Sequence, residues 1–222
     1  MPVCALCLAR TESIATEDFC PGCGRSAAAG EPLCLECRFD PPEYDSAYCA
    51  AHYRRVPRAL VHLLKYERVR TVAPWMAAAL DTAKLPVSGV DLVVPVPLGP
   101  GRGRRRGFNQ SEAIARHLAR RRGWRLAARA LARRRETLPQ AGLSAEERKE
   151  NVRGAFRARA ELVAGRRVLL VDDVLTTGAT ARACAVALKS AGARAVRVAA
   201  FARADLRWTA VDEAGDGREA RP

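Results

Sequence analysis

The chain has 222 residues, a formal charge of +14, and 49% hydrophobic against 28% charged residues. That balance describes a globular protein able to bury a core and excludes a disordered one. No apolar run approaches the ~18 residues of a membrane span, and the Met-Pro-Val-Cys start lacks the basic and apolar stretches of a secretory leader, so a cytoplasmic protein without membrane insertion is expected.

Three regions are expected: a Cys-rich zinc-binding region over 1–52, an α/β domain over 53–203, and a flexible polar tail over 204–222. Residues 1–49 carry a charge of −5 and hold seven of the eight cysteines. Six of these form the pairs Cys4-x2-Cys7, Cys20-x2-Cys23 and Cys34-x2-Cys37. In a reducing compartment such pairs point to zinc before disulfides, because two knuckles supply the four thiolates of a tetrahedral site. Cys20, Cys23, Cys34 and Cys37 are the expected ligands of a structural zinc. Cys4 and Cys7, with Cys49 and His52, are candidates for a second site; redox dithiols are the competing reading of such pairs.

Downstream, Val56–Glu67 reads as a helix with Leu60, Leu63 and Leu64 on one face. Val72–Ala83 reads as another, with Pro74 tolerable in its first turn. Val90–Val96 is a continuous apolar run suited to a buried parallel strand. A basic segment, GPGRGRRRG, follows. A helix then runs from about Asn109 to Arg122, where Asn109 and Glu112 are spaced as a capping box. Val168–Val171 is a second buried strand, a helix spans roughly Gly178–Ala191, and Ala195–Phe201 is a third strand. In the helix, Ala181, Cys184, Ala185 and Leu188 share one face, which marks Cys184 as a core residue. The alternation of strand and helix argues an α/β fold with a mostly parallel sheet.

The positive charge is concentrated. Residues 100–135 hold thirteen arginines and a single acidic residue, Glu112. Such a block fits a phosphate or polyanion partner, or a solvated arginine-rich face. Arg102, Arg104, Arg105, Arg120, Arg121 and Arg122 are the candidate contacts for a nucleic acid, with Phe108 and Trp124 as candidate stacking partners.

The segment VLLVDDVLTTGAT, Val168 to Thr180, carries the clearest chemistry. An apolar strand runs into Asp172 and Asp173, and Thr176, Thr177, Gly178, Ala179 and Thr180 lead into a helix. Carboxyl ends of parallel strands are where open α/β sheets bind ligands. Two carboxylates can accept the hydroxyls of a ribose. The Thr/Gly loop offers N–H groups and a helix dipole to a phosphate. A Walker B strand is excluded by the lack of a G-x-x-x-x-G-K-[ST] loop. A receiver domain would need about a hundred residues after Asp173, more than the chain has.

This segment resembles the phosphoribosyl pyrophosphate signature of type I phosphoribosyltransferases. YRRVPRALVHLLKY (Tyr53–Tyr66), DLVVPVPL (Asp91–Leu98), RGFNQSEAIA (Arg106–Ala115) and QAGLSAEERKENVRGAF (Gln140–Phe156) narrow the resemblance to the ComF family of competence-associated proteins. The resemblance implies a type I phosphoribosyltransferase-like parallel sheet flanked by helices, with a small N-terminal zinc ribbon. It implies that Asp172 and Asp173 bind the ribose hydroxyls and that residues 176–180 hold the 5-phosphate. Pro95 and Val96 would open the pyrophosphate-side loop, Arg106 would neutralise pyrophosphate, and residues 136–151 would form a mobile flap. It implies magnesium with phosphoribosyl pyrophosphate as ligand, a part in the uptake of single-stranded DNA, and a DNA-uptake helicase or channel protein as partner. It weighs against the second metal site, because Cys49 and His52 fall on the strand leading into Tyr53. An active transferase acting on a nitrogen acceptor is the alternative, and no acceptor-binding subdomain can be picked out.

Overall fold

The computed structural model describes residues 3, 19–25, 33–82, 89–135 and 144–204. Its elements in chain order are α1 (Leu35–Phe39), β1 (Ser46–His52), α2 (Arg55–Lys65), a 3-10 turn (Arg70–Val72), α3 (Ala73–Thr82), β2 (Leu92–Pro95), α4 (Pro100–Arg106) and α5 (Gln110–Arg122), followed by β3 (Leu131–Arg133), α6 (Ala145–Val152), β4 (Phe156–Ala158), α7 (Ala160–Val163), β5 (Arg167–Leu175), α8 (Ala179–Ser190) and β6 (Ala195–Arg203). Four strands form one parallel sheet in the order β1-β6-β5-β2, and β3 pairs antiparallel with β4 as a separate ribbon.

Both faces of the sheet are covered, which is why its strands read as unbroken apolar runs. Val168, Leu170, Val196 and Val198 pack on one side with Cys184, Ala185 and Leu188 of α8. Val93, Leu169, Val171 and Phe201 pack on the other with Leu60 and Leu64 of α2, Met76 and Leu80 of α3, and Ile114 and Leu118 of α5. The result is a three-layer α/β/α sandwich. Cys184 is fully buried, as its helical face predicts.

Several boundaries differ from the sequence reading. Residues 46–52, placed there in the Cys-rich region, are a full strand of the sheet, with Ser46 opposite Arg197 and His52 opposite Arg203. Strand β5 does not stop at the aspartates. It keeps pairing with β6 through Asp172↔Ala200 and Leu175↔Arg203, whereas β2 leaves its other edge after Pro95↔Val171. The crevice therefore opens on the β2 side of a strand that is still in register with β6. The basic segment after β2 is helical (α4), started by Pro100 and stopped by Gly107 in the left-handed region. Of the expected flap, residues 136–143 lie outside the described residues. The remainder is largely α6, capped by a reciprocal Ser144–Glu147 box and packed against α8. The expected tail beyond Ala204 also lies outside them.

Candidate functional site

A cavity of about 610 Å³ sits at the carboxyl ends of β2 and β5, where an open parallel sheet presents its ligand site. Asp172, Asp173, Val96, Arg106, Thr176, Gly178 and Thr180 all line it. Pro95 does not: it is a buried member of β2, and Val96, Pro97 and Leu98 make the wall. Thr177 turns its hydroxyl to the Ala179 N–H (3.4 Å), and the Ala179 side chain is buried on the far side of the loop. Those two residues can serve the cavity through their backbone only.

The two carboxylates are held differently. Asp172 accepts from the Ser111 hydroxyl (2.8 Å) and from the Asp173 N–H (2.9 Å). Burial, with the adjacent Asp173 charge, pushes its pKa up to about 7. Asp173 instead forms an ion pair with Lys65 of α2 (2.9 Å). Burial pulls the Lys65 ammonium down, but the Asp173 charge outweighs it and leaves the group above its ordinary value. One carboxylate is thus ion-paired, and the other titrates near neutrality.

Asn109 joins the opposite wall to α5. Its side chain caps the helix by accepting from the Ser111 N–H (3.1 Å) and donates to the Val96 carbonyl (2.9 Å). Arg106 donates to Gln110 (3.2 Å) and lies over the exposed ring of Tyr66, 5.5 Å from its centroid. Gly178 starts α8 with φ 83°, and a Cβ there would come within 3.3 Å of the Tyr44 hydroxyl. Both facts restrict that position to glycine.

Lys65, Ser111, Tyr53, Tyr66, Arg68 and Arg133 also line the cavity and were not singled out from sequence. Two of them carried a signal. Lys65 falls one helical turn after Val61, and Ser111 heads the stripe Ser111, Ile114, Ala115, Leu118. In both cases a polar residue extends an apolar face, so it must find a buried partner.

The candidate DNA contacts are dispersed. Arg121 and Arg122 both form ion pairs with Asp81, and Arg122 also approaches the Trp124 ring. Arg120 meets His117 (3.2 Å) and is otherwise exposed, as is Arg104. The side chains of Arg102 and Arg105 lie outside the described residues. Trp124 and Phe108 are partly buried against the core, and Arg70 stacks over Phe108.

The sulfur atoms of Cys20, Cys23, Cys34 and Cys37 lie within 4.8 Å of one another, with Cys23 and Cys34 3.7 Å apart. A tetrahedral metal with thiolate bonds of ~2.3 Å needs sulfurs nearly this close. The Cys34 N–H points at the Cys20 sulfur (3.3 Å), as it would toward a thiolate. A Cβ on Gly22 would meet the Cys37 sulfur at 3.1 Å, so the knuckle has no room for a larger residue. The donors fit a metal such as zinc. Without one, burial pushes the Cys23 thiol up to about 11 and Cys37 higher still, so binding a metal displaces protons. Cys20 moves the other way: burial raises it, but N–H groups of Cys34 and Cys23 bring it below its usual value. Cys4 and Cys7 lie outside the described residues. Cys49 is buried in β1 and His52 is three residues on, which places them on opposite faces of the strand.

Residues 105–215 match the family model described as "Phosphoribosyl transferase domain". Among solved structures, an adenine phosphoribosyltransferase from Thermoanaerobacter pseudethanolicus matches 72% of this chain and 81% of its own, at 20% identity and a TM-score of 0.40. An allosteric regulatory enzyme of purine biosynthesis matches 60% of this chain and 26% of its own, at 25% identity and a TM-score of 0.42. The chain is 35% identical over 202 residues to the DNA utilization protein YhgH of Escherichia coli K12, 88% of each chain. It is 30% identical over 211 residues to Competence protein F of Haemophilus influenzae, 90% of each. The chain belongs to the ComF family, in which a Cys-rich N-terminus precedes a phosphoribosyl transferase domain.

Proposed function

We propose that the protein binds phosphoribosyl pyrophosphate with magnesium in the 610 Å³ cavity and assists the handling of internalised single-stranded DNA in the cytoplasm. One observation carries the ligand: paired carboxylates and the Thr/Gly loop at the start of α8 line one crevice, a ribose 5-phosphate apart in chain order. In this reading Asp172 and Asp173 take the ribose hydroxyls, the 176–180 loop takes the 5-phosphate, and Arg106 faces pyrophosphate. The relatives' names support the link to DNA, with exposed arginines such as Arg104 and Arg120 as contacts and a helicase or channel protein of DNA uptake as partner. The Cys cluster holds zinc as a structural ion, away from the reaction.

A second reading, an active magnesium-dependent transferase, is supported by Tyr53, Tyr66 and Arg68, which line the same cavity as the aspartates. Metal and arginine charge would stabilise departing pyrophosphate there. Titration calorimetry with phosphoribosyl pyrophosphate and magnesium tests both. Wild type should bind, and the double variant Asp172→Asn/Asp173→Asn should not. Equal binding by that variant would remove the site from consideration. Pyrophosphate release with a panel of bases then separates transferase from binder.

A further inference from the structure

Arg203 is the last residue of β6, and only 2% of it is exposed. It lies in register with Leu175 at the end of β5. One guanidinium nitrogen, Nη1, donates to the Leu175 carbonyl (2.8 Å) and also to the Thr176 carbonyl. These are the two carbonyls that open the phosphate loop. The Nε atom is buried with no partner. Among the described residues no carboxylate forms an ion pair with this side chain, and the nearby aspartates are engaged by Lys65 and Ser111.

Two consequences follow. In a trans peptide the C=O of one residue and the N–H of the next point in opposite directions. With the Leu175 and Thr176 carbonyls held down on Arg203, the Thr176 and Thr177 N–H groups turn up, away from it. Among the described residues, no backbone hydrogen bond leaves the N–H groups of Thr176, Thr177 or Gly178. The second consequence is electrostatic. A guanidinium stays charged when buried, and a buried charge without a counterion is costly. Its field reaches the Tyr44 hydroxyl beneath Gly178 and the Cys49 thiol, acting on both to lower the pKa that burial raises. Neither neutralises it.

We propose that Arg203 is the positioning residue of the phosphate loop: from beneath, it fixes the loop's N–H groups toward the cavity and supplies the buried positive charge that a bound phosphate monoester neutralises. The inference rests on the sugar-phosphate reading above and assigns the anion side of that site to a residue outside the signature segment.

The test uses the full chain, ribose 5-phosphate and inorganic phosphate, with Arg203→Lys and Arg203→Gln. Lysine keeps the charge; glutamine keeps a donor without it. Wild type should bind ribose 5-phosphate more tightly than inorganic phosphate, and the Lys variant should stay within a few-fold. The Gln variant should lose on the order of tenfold to a hundredfold, the weight of a charge-assisted hydrogen bond. Rescue by lysine is what a purely structural role would not give. Equal affinity of the Gln variant and wild type, or equal loss in both variants in step with their melting temperatures, would overturn the proposal. Should the Gln variant not fold, amide exchange on wild type decides: ribose 5-phosphate should protect Thr176 and Thr177, and lack of protection counts against the proposal. If wild type binds neither anion, the sugar-phosphate reading itself fails and this inference with it.

Discussion

Asp172 and Asp173 are chemically the same residue one peptide apart, yet the fold gives them different tasks. Asp173 sits against Lys65 in an ion pair. Asp172 has a folded pKa near 7, raised by burial and by its neighbour, against ~3.9 when unfolded. A raised carboxyl pKa means that the folded state binds the proton better, so stability falls as pH rises between these two values. Asp172→Asn, which mimics the protonated form, should therefore melt above wild type at pH 8 and equal to it near pH 4, while losing the sugar phosphate. Thermal melts across pH check this. A variant less stable than wild type at alkaline pH would mean that the carboxylate is better compensated than its surroundings imply. The pair itself was legible in the sequence, because two charges after an apolar run have few structural uses. Lys65, Ser111 and Arg203 were not singled out, because each matters through a partner at least 27 residues away, so the partner is invisible to any local pattern.

At the scale of elements, the main helices and the strands β2, β5 and β6 were readable because each carries a strong period or an apolar run; β1 was not, because Cys49 and its small neighbours read as part of the Cys-rich region. Nor were the short ones. β3 and β4 have three residues each, below the length at which alternation can be recognised, and their pairing depends on each other. α4 is glycine-rich and charged, so its composition argues for a loop; Pro100 and the flanking Gly107 make it a single helical stretch. Two side-chain clamps hold the elements in place. Asp91 accepts from the Arg167 backbone N–H (2.8 Å) and twice from its guanidinium, tying the start of β2 to the start of β5. These Arg167 hydrogen bonds hold its pKa down at about 2. A depressed carboxyl pKa contributes stability above ~4 that is lost as pH falls through the folded value. Asp91→Asn should melt below wild type at pH 7, with the difference closing near pH 2. The other clamp is Arg182 of α8, which donates to the Asp40 and Pro41 carbonyls and to the Asp40 and Glu43 carboxylates. It ties the segment following the Cys cluster to the helix that begins at the phosphate loop. Arg182→Ala should release bound zinc faster to a competing chelator, read optically. An unchanged rate would show that the knuckles hold their shape alone.

Across the whole molecule, the excess charge is less available to a polyanion than the count suggests. Arg121 and Arg122 are turned onto Asp81, Arg106 faces the cavity, and Arg167 is held by Asp91. In the proposed reading, the exposed Arg104 and Arg120 are the contacts left for DNA. Each, changed to alanine, should lower the slope of log affinity for single-stranded DNA against log salt by roughly 0.7. An unchanged slope would move the DNA path to another face. No helix among the described residues is long and apolar enough to cross a membrane.

The place of β1 bears on how this chain is made. Among the described residues β1 has only one partner in the sheet, β6, and their residues pair across some 150 positions of sequence, Ser46 with Arg197. During synthesis the Cys knuckles leave the ribosome before the strands of the sheet and could take metal at once. The strand attached to them then waits, its apolar residues and unpaired edge exposed, until nearly all of the remaining domain has emerged. Pairing with β6 also brings Arg203 under the Thr/Gly loop. Among the described residues, the strand furthest along the chain is thus the one that seats the first and, in the proposed reading, completes the anion site. A nascent chain arrested before β6 would carry both carboxylates and the Thr/Gly loop, yet remain a client for chaperones rather than a ligand-binding fragment.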